Sequence, residues 1–295
     1  MKVGPYFERY LKLRKSAGIS ELTIKSECDT HLYLWRFLGR ERDELNITEK
    51  DIQTYMEYLA ENSDLNWNTR RQRVKKLRSF YKEAVRQGWI IQNPMLRIEL
   101  PKGEYNPIRV LSVAQMKKLL SLPDISKASG IRDRAIMELL YSTGLRSKEL
   151  LELKVDDFRE SYRLVRVKGK GNKEVMQPIG KMSAYFLSFY IEKLYPKLNK
   201  YNQPKVFLSL KHGQPLRSCS LRKLIREYGD KLQAHISLSP HVFRYSVCTH
   251  LAEEGVDIRI LQEFMRHDSI QSTSRYIKES YQYLQRIHRK THPRA

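Results

Sequence analysis

The sequence predicts a mainly α-helical protein of the α+β class, with two domains and one small β-sheet in the second domain. Its 295 residues are more than one typical domain needs and fewer than three would need. Apolar residues recur every three or four positions over most of the chain, which is the period of an amphipathic helix. Strand-like alternation is clear only between residues 163 and 179, so the predicted sheet is small.

The first domain is predicted to be entirely helical. Helical spacing is present in YFERYLKL, HLYLWRFL, IQTYMEYLA and VKKLRSFYKEAV. Ser20 and Thr48 precede two of these helices, where a side-chain oxygen can accept hydrogen bonds from the amides of the first turn. Gly88 follows the last long helix and can end it in a left-handed conformation.

A linker separates the two domains. The segment NPMLRIELPKGEYNP contains three prolines and a glycine, which interrupt any helical period. We therefore place the first domain at 1–98, the linker at 99–107 and the second domain, with a C-terminal tail, at 108–295. Ser112 and Gln115 form an S-x-x-Q capping box at the first helix of the second domain.

The second domain is predicted to be mostly helical around one β-hairpin. RLVRVK and KEVMQPI alternate, and the glycine-rich turn between them places Lys170 at the hairpin tip. Before the hairpin, LRSKELLELKVDDF has helical spacing throughout and predicts one helix that begins at Arg146. The segment VFLSL is a further short strand candidate.

The composition indicates a nucleic-acid partner. The chain has 55 Lys and Arg against 33 Asp and Glu, a net charge of +22, which suits a polyanion. The alternative is a basic protein that is merely soluble. The sequence has neither a membrane span nor the apolar core of a signal peptide, so we expect a cytoplasmic protein with no membrane partner. Three scattered cysteines predict reduced thiols.

Four residues in two short motifs are candidates for phosphate chemistry. His241 and Arg244 are three apart on a helix that starts near Ser239, so they share a face at its positive end. A capping histidine beside a solvated arginine is the alternative. Glu149 lies one turn after Arg146 and can hold its guanidinium by paired hydrogen bonds, or the two form an ordinary surface pair.

Two further candidates lie near the C-terminus. His267 falls between DIRILQEFM and IQSTSRYI, at a junction where a side chain can project into a cleft. Tyr276 follows nine residues later, although it is one of 18 tyrosines and a tyrosine at helical spacing is usually part of a core. The chain lacks a P-loop, an HExxH motif and a clear two-metal carboxylate cluster, so we predict no metal and no cofactor.

In chain order, three segments resemble the catalytic-domain signature of the tyrosine recombinases of the Xer and phage-integrase family. They are TGLRSKELLELKVDDF, VKGKGNKEVMQPIG and PHVFRYSVCTHLAEEGVDIRILQEFMRHDSIQSTSRYI. NTRRQRVKKLRSFYKEAVRQGWIIQNPM, followed by LPK, is similar to the family's SAM-like core-binding domain. The resemblance covers nearly the whole chain. It implies a site-specific recombinase that cleaves and rejoins DNA through a 3′-phosphotyrosine and a Holliday junction, without metal or ATP.

The resemblance also assigns roles within the site. In the family, two arginines clamp the scissile phosphate, two histidines add hydrogen bonds and move protons, a lysine protonates the departing 5′ oxygen, and a tyrosine is the nucleophile. Glu149 is a supporting residue. The matching residues in this chain are Arg146, Arg244, His241, His267, Lys170 and Tyr276.

The chain departs from the family pattern at three places. Phe243 stands where leucine is usual, and Tyr245 where a second histidine is usual. Arg266 replaces the glycine that commonly precedes the histidine of the third motif. None of these is a catalytic position, so activity is still expected, while the local packing is left open.

The implied partner is double-stranded DNA with an inverted-repeat site, bound in a homo-tetramer or together with a paralogous recombinase at the nucleoid. The tail, apolar at Tyr281, Leu284 and Ile287, would dock on a neighbouring protomer or pack on its own chain. Integration or excision of a mobile element and resolution of replicon dimers both fit. A basic helix is either a DNA-binding face or a solvated surface. Its residues are Arg70, Arg71, Arg73, Lys75, Lys76 and Arg78.

Two other functions stay open at this stage. A type IB topoisomerase shares the chemistry of the tyrosine recombinases. A DNA-binding regulator with the same fold and an inactive site would share the charge and the helical pattern.

Overall fold

The structure is a computed structural model, and it forms two compact units, Met1–Asn106 and Pro107–Ala295. Each unit has its own hydrophobic core. The predicted fold class is confirmed, since both units are mainly helical and the second contains a small sheet. The structure describes residues 4–39, 44–61, 65–100, 109–169, 174–266 and 289.

The first unit contains four helices whose apolar stripes meet in one core rich in aromatic side chains. The core includes Phe7, Tyr10 and Phe80, all nearly inaccessible to solvent. The oxygen of Ser20 accepts from the amide of Thr23 at 3.3 Å, which gives the second helix its predicted cap. The helices are α1 Pro5–Ser16, α2 Glu21–Leu38, α3 Glu49–Glu61 and α4 Trp67–Arg86.

The second unit contains eight helices among its described residues, packed around α6 and α8. Ser112 and Gln115 form the predicted capping box at the start of the first of them. The helices are α5 Val113–Ser121, α6 Ala128–Thr143, α7 Ser147–Glu152, α8 Lys181–Lys193, α9 Tyr195–Leu198, α10 Ser218–Lys231, α11 Pro240–Glu253 and α12 Ile258–Met265.

The sheet of the second unit has three antiparallel strands in the order β1-β2-β3. They are β1 Phe158–Arg159, β2 Leu164–Lys168 and β3 Glu174–Pro178. The last two are the predicted hairpin, in which Val165 pairs with Gln177. The sequence did not predict β1, which is only two residues long. The predicted strand VFLSL is wrong, because the backbone there makes only isolated bridges, Lys154 with Lys205 and Leu208 with Pro215.

The helix predicted over LRSKELLELKVDDF is also wrong in its length. The structure has a six-residue helix, α7, followed by a short 3-10 turn at Val155–Asp157. The amide of Lys154 donates to the buried carboxylate of Asp157 at 2.9 Å. Such a local side-chain bond satisfies backbone that would otherwise continue the helix, so the chain turns toward the sheet.

The chain enters the second unit through Leu111, which is fixed to α11. The Leu111 amide donates to Ser246 Oγ at 3.0 Å, and the Leu111 carbonyl lies 2.9 Å from His250 Nε2. The other nitrogen of this buried imidazole lies 2.9 Å from the hydroxyl of Tyr141 on α6. Two helices, α6 and α11, are thus tied to each other and to the entering segment near the first described residues of the unit.

No helix in the described ranges is long and apolar enough to cross a membrane.

Candidate active site

Helix α11 positions two of the candidate residues, and it buries one of them. Pro240 occupies the first turn, and Gly255 follows the helix with a φ of +88°. Arg244 is only 3% exposed, so the alternative of a solvated arginine is wrong. Its guanidinium donates to the carbonyl oxygens of Gly144 and Met265. Because the two acceptor carbonyls belong to different segments of the chain, the two hydrogen bonds fix the guanidinium in one orientation.

Arg146 lies directly after the sharp turn that ends α6. Gly144 has a φ of +59°, and a Cβ built there would lie 2.9 Å from the sulfur of Met265. Only glycine therefore lets the end of α6 approach α12 without displacing that side chain. The Arg146 guanidinium donates to Glu149 Oε1 at 2.8 Å and to the Arg266 carbonyl at 3.0 Å. Its side chain is 37% exposed, so part of the fork faces solvent.

The two candidate arginines converge on one helix end. Arg244 donates to the carbonyl of Met265, and Arg146 donates to the carbonyl of the next residue, Arg266. These residues lie at the C-terminus of α12, where carbonyl groups have no partner within the helix and the dipole is negative. The guanidinium groups supply donors for these carbonyls, and their positive charge offsets the negative end of the dipole. Residues 98 positions apart in sequence thus present two cations from one small framework.

Glu149 accepts hydrogen bonds from two arginines. Besides Arg146, the Arg266 guanidinium donates to it, at 3.0 Å, and Glu149 and Arg266 are each only 8% exposed. Burial acts to raise the pKa of Glu149, but the charge of Arg266 and the bonds from Arg146 outweigh it and hold the pKa below its usual value. The carboxylate therefore stays charged, and the group of three carries one net positive charge.

His241 is the exposed partner of this group, in the first turn of α11. Its ring lies beside that of Tyr245, with centroids 6.1 Å apart. Partial desolvation, followed by the charges of Arg244 and Arg146, lowers the pKa of the imidazole. At neutral pH the ring is therefore uncharged and can accept or donate a proton through either nitrogen.

Three predicted catalytic residues lie outside the described residues. They are Lys170, His267 and Tyr276. The tail residues Tyr281, Leu284 and Ile287 also lie outside them. The flanking structure is described on both sides of Lys170, by β2 and β3. Of the candidate catalytic side chains, the structure thus brings together Arg146, Arg244 and His241, with Glu149 as their support.

The basic residues of α4 do not form one solvated face. Lys75 is exposed, and the other five are partly buried. Arg70 donates to the carbonyl of Leu65, and Arg78 donates to that of Ile98. Both arginines are therefore held by backbone carbonyls of the first unit.

Arg73 and Lys76 instead line a groove of about 470 Å³ between α2 and the start of α4. The guanidinium of Arg73 lies 3.9 Å from the ring centroid of Tyr33, and Lys76 Nζ donates to Ser26 Oγ at 2.6 Å. Asn66 and Thr69, at the start of α4, line the same groove, and the Asn66 side chain accepts from the Thr69 amide at 2.9 Å. This groove is the part of α4 best suited to a phosphate.

Arg266 is the residue that sequence reasoning missed. The sequence identified it only as a departure from glycine, because an arginine after a helix is an ordinary C-terminal residue. The structure gives it a φ of +52° and a buried side chain that reaches Glu149 and Gln177. The only signal in the sequence was that a long side chain stands where the family commonly has glycine.

Comparison with known proteins identifies the family. Residues 109–283 match the phage integrase family, and residues 2–100 match the phage integrase SAM-like domain. The chain belongs to the phage integrase family. The predicted recognition, a Xer-like tyrosine recombinase, and the predicted enzyme class, a tyrosine site-specific recombinase, are confirmed.

Curated relatives of this tyrosine recombinase match over most of their length. Tyrosine recombinase XerD of Staphylococcus haemolyticus is 35% identical over 98% of each chain. Tyrosine recombinase XerD of Staphylococcus epidermidis is 37% identical over 75% of each chain.

Solved structures share the fold at lower identity. XerH site-specific recombinase bound to palindromic difH substrate is 19% identical, with a TM-score of 0.75 over 96% of this chain and 82% of that one. The Tn1549 transposon integrase in complex with a circular intermediate DNA is 18% identical, with a TM-score of 0.74 over 97% and 99%.

Proposed function

We propose that this chain cuts and rejoins double-stranded DNA at a specific site, with Tyr276 as the nucleophile and a 3′-phosphotyrosine as the intermediate. The observation that carries the proposal is the pair of guanidiniums, Arg146 and Arg244, fixed on consecutive carbonyls at the end of α12. The next residues of the chain lead to His267 and then to Tyr276. The proposed nucleophile therefore follows in sequence from the element that orients the proposed phosphate clamp.

The reaction needs positive charge more than covalent chemistry. Charge in the transition state spreads over the non-bridging oxygens of the phosphate, and fixed cations stabilise it electrostatically. Arginine suits this role because its planar fork stays charged at any working pH. The shared Glu149 orients Arg146 without cancelling all of the positive charge, because Arg266 balances the same carboxylate.

In the proposed reaction, named residues carry out the bond changes and the proton transfers at the scissile phosphate. The phenol oxygen of Tyr276 bonds to phosphorus and loses its proton, with His241 and His267 assisting. The bond from phosphorus to the 5′ oxygen breaks, and Lys170 supplies the proton that this oxygen takes up. Attack by a 5′ hydroxyl reverses these steps. Because the phosphotyrosine link conserves the energy of the bond, rejoining needs no ATP.

We propose that two protomers bind each inverted-repeat site and that two sites join in a tetramer, where strands exchange through a Holliday junction. The relative XerH was solved bound to palindromic difH substrate, and lambda integrase as a dimer bound to a COC′ core site. These complexes of related proteins support DNA as the partner and paired protomers as the binding unit. The chain would act alone or with a paralogous recombinase, in the cytoplasm at the nucleoid.

A nicked suicide substrate tests the nucleophile. When a nick next to the cleavage point releases a short strand, the covalent intermediate cannot be rejoined and accumulates. The wild-type chain should form a protein–DNA adduct that denaturing gel electrophoresis detects, and Tyr276→Phe should form none. Tyr283→Phe is the matched control, because it removes a neighbouring phenol from the same segment. An adduct that persists in Tyr276→Phe would exclude this mechanism.

The same protein distinguishes the rival functions. A type IB topoisomerase would relax supercoiled DNA that lacks any inverted-repeat site, whereas a recombinase requires the site. A regulator with an inactive site would bind its DNA but form no adduct on the suicide substrate. We expect site-dependent adduct formation and little relaxation of site-free plasmid.

A further inference from the structure

The side chain of Arg266 joins three parts of the second unit. Its guanidinium donates to Glu149 on α7 at 3.0 Å, to Gln177 on β3, and to the carbonyl of Phe264 at 3.2 Å. Its own carbonyl receives the Arg146 guanidinium at 3.0 Å. Arg266 thus contacts the proposed phosphate clamp through its backbone and the sheet through its side chain.

The backbone at this position favours glycine, so the arginine must be held by its contacts. A φ of +52° places Arg266 in the left-handed region, which is unfavourable for a residue with a Cβ. Burial also lowers the pKa of its guanidinium, and the Glu149 carboxylate opposes part of that change. Both costs are offset only if the contacts with Glu149 and Gln177 are formed.

Removing this side chain would change the state of Glu149. The charged groups that act on Glu149 are Arg266, at the end of α12, and Arg146, at the start of α7. Gln177, from β3, is neutral. The charge of Arg266 is the largest single influence that lowers the pKa of this carboxyl, and the hydrogen bonds and charge of Arg146 follow it. Without it, a carboxylate that is 8% exposed would have one charged partner left and would take up a proton more readily.

The hairpin is coupled to the same point. Gln177 lies on β3 and pairs with Val165 on β2, and in the sequence these strands lie on either side of Lys170. The bond from Arg266 to Gln177 is therefore a direct link between the strands next to the proposed general acid and the residues next to the proposed clamp.

We propose that Arg266 is a positioning residue, which keeps Glu149 ionised and fixes the hairpin against the Arg146 clamp. This inference rests on the proposed function, because it assigns Arg266 a part in the same cleavage step. Arg266 acts through Glu149 and Gln177, and its buried guanidinium is not offered to DNA. The expected signature is a cleavage rate that becomes sensitive to pH when the side chain is lost.

The test is single-turnover cleavage of the suicide substrate by the full chain over a range of pH. Arg266→Met removes the charge and keeps the length of the side chain. Its deficit relative to wild type should grow from about threefold at about pH 8 to about thirtyfold at about pH 6, as Glu149 is protonated. Arg266→Gly, which suits the left-handed backbone, should behave in the same way. Arg266→Lys should restore most of the rate at low pH.

A double variant separates positioning from a general loss of stability. Glu149→Gln replaces the carboxyl by an amide, which does not titrate. Adding Arg266→Met to this variant should therefore not make the cleavage rate more dependent on pH. Arg259→Met is the control, since it removes an exposed cation from the first turn of α12 and should leave the rate and its pH profile within about twofold. Site affinity, measured by gel shift, should stay within about threefold in Arg266→Met.

Results that contradict the role of Arg266 differ from the result that contradicts the proposed function. A deficit that is the same at every pH, or a pH dependence that persists unchanged in the Glu149→Gln background, would overturn the role of Arg266 in keeping Glu149 ionised. Full activity of Arg266→Gly at low pH would do the same. Failure of the wild-type chain to form any adduct would instead overturn the proposed function, and it would be seen before any variant is compared.

Discussion

The buried His31 of the first unit and the buried Arg244 and Glu149 of the second unit are held in opposite ways. In the first unit, His31 is stacked on Phe7 with ring centroids 3.5 Å apart and packs edge-on against Phe80 at 4.7 Å. Its Nε2 has no hydrogen-bond partner among the described residues. In the second unit, Arg244 and Glu149 are buried to a similar degree, yet every contact shown for them is polar.

This difference shows what burial demands of each group. A histidine can lose its charge, and burial lowers the pKa of His31 to about 3, so it packs as an aromatic ring. An arginine cannot lose its charge, so the fold must supply carbonyl or carboxylate oxygens. The buried charges of Arg244 and Glu149 therefore need the polar contacts of the candidate site, whereas the buried histidine of the first unit packs as part of a core.

The largest expected effect comes from removing a buried cation. Arg244→Met would leave the carbonyls of Gly144 and Met265 without their donor and would remove half of the proposed clamp. We expect adduct formation to fall at least about 100-fold and the free energy of unfolding of the second unit to fall by about 3 kcal/mol. Suicide-substrate assays and denaturant unfolding followed by circular dichroism measure the two effects. Wild-type cleavage in this variant would contradict the comparison.

Partly exposed cations of the first unit should act on binding and leave stability almost unchanged. Replacing Arg73, Lys75 and Lys76 by glutamine should weaken DNA affinity about tenfold or more and reduce the slope of log affinity against log salt by about 2. Replacing Lys12 and Lys15 of α1, which are exposed, is the control for charge alone. Gel shifts at several salt concentrations provide the slope. An unchanged slope in the triple variant would remove the α4 groove from the DNA interface.

The effect that is smallest near neutral pH concerns the pH dependence of stability. His31 has a folded pKa of about 3 against 6.5 when exposed, so protonation favours the unfolded chain. Its contribution is fully present above 6.5 and is lost by roughly 1.4 kcal/mol per pH unit as the pH falls toward 3. His31→Phe should remove this slope. All three tryptophans lie in the first unit, so their fluorescence during denaturant unfolding reports the change.

Local signals in the sequence predicted much of the fold. Ser20, Ser112 and Gly88 begin or end helices through bonds and dihedral angles that involve only nearby residues. The prediction was wrong where a buried side chain and distant contacts decided the structure. Beyond Glu152 the periodic leucines favoured a longer helix, but the bond from Lys154 to Asp157 turns the chain, and the bridge to Lys205 and the pairing of β1 with β2 hold it there.

The site was predicted less completely than the fold. The family resemblance selected Arg146, Arg244 and His241 by type and order, although spacing alone left each with an ordinary explanation. Sequence could not show that Arg244 is buried or that both arginines meet one helix end, because these facts depend on how α6, α11 and α12 pack. Arg266 had no local signal at all, since its partners Glu149 and Gln177 lie about 90 or more residues away.

The attachment of Leu111 to α11 has a mechanical consequence. A pull on the backbone that enters the second unit would act on Ser246 and His250 through the two bonds that Leu111 makes. Both residues lie on the helix that also holds His241 and Arg244. Tension in the preceding segment would therefore be shared between α5, which follows Leu111 along the chain, and the helix of the proposed clamp.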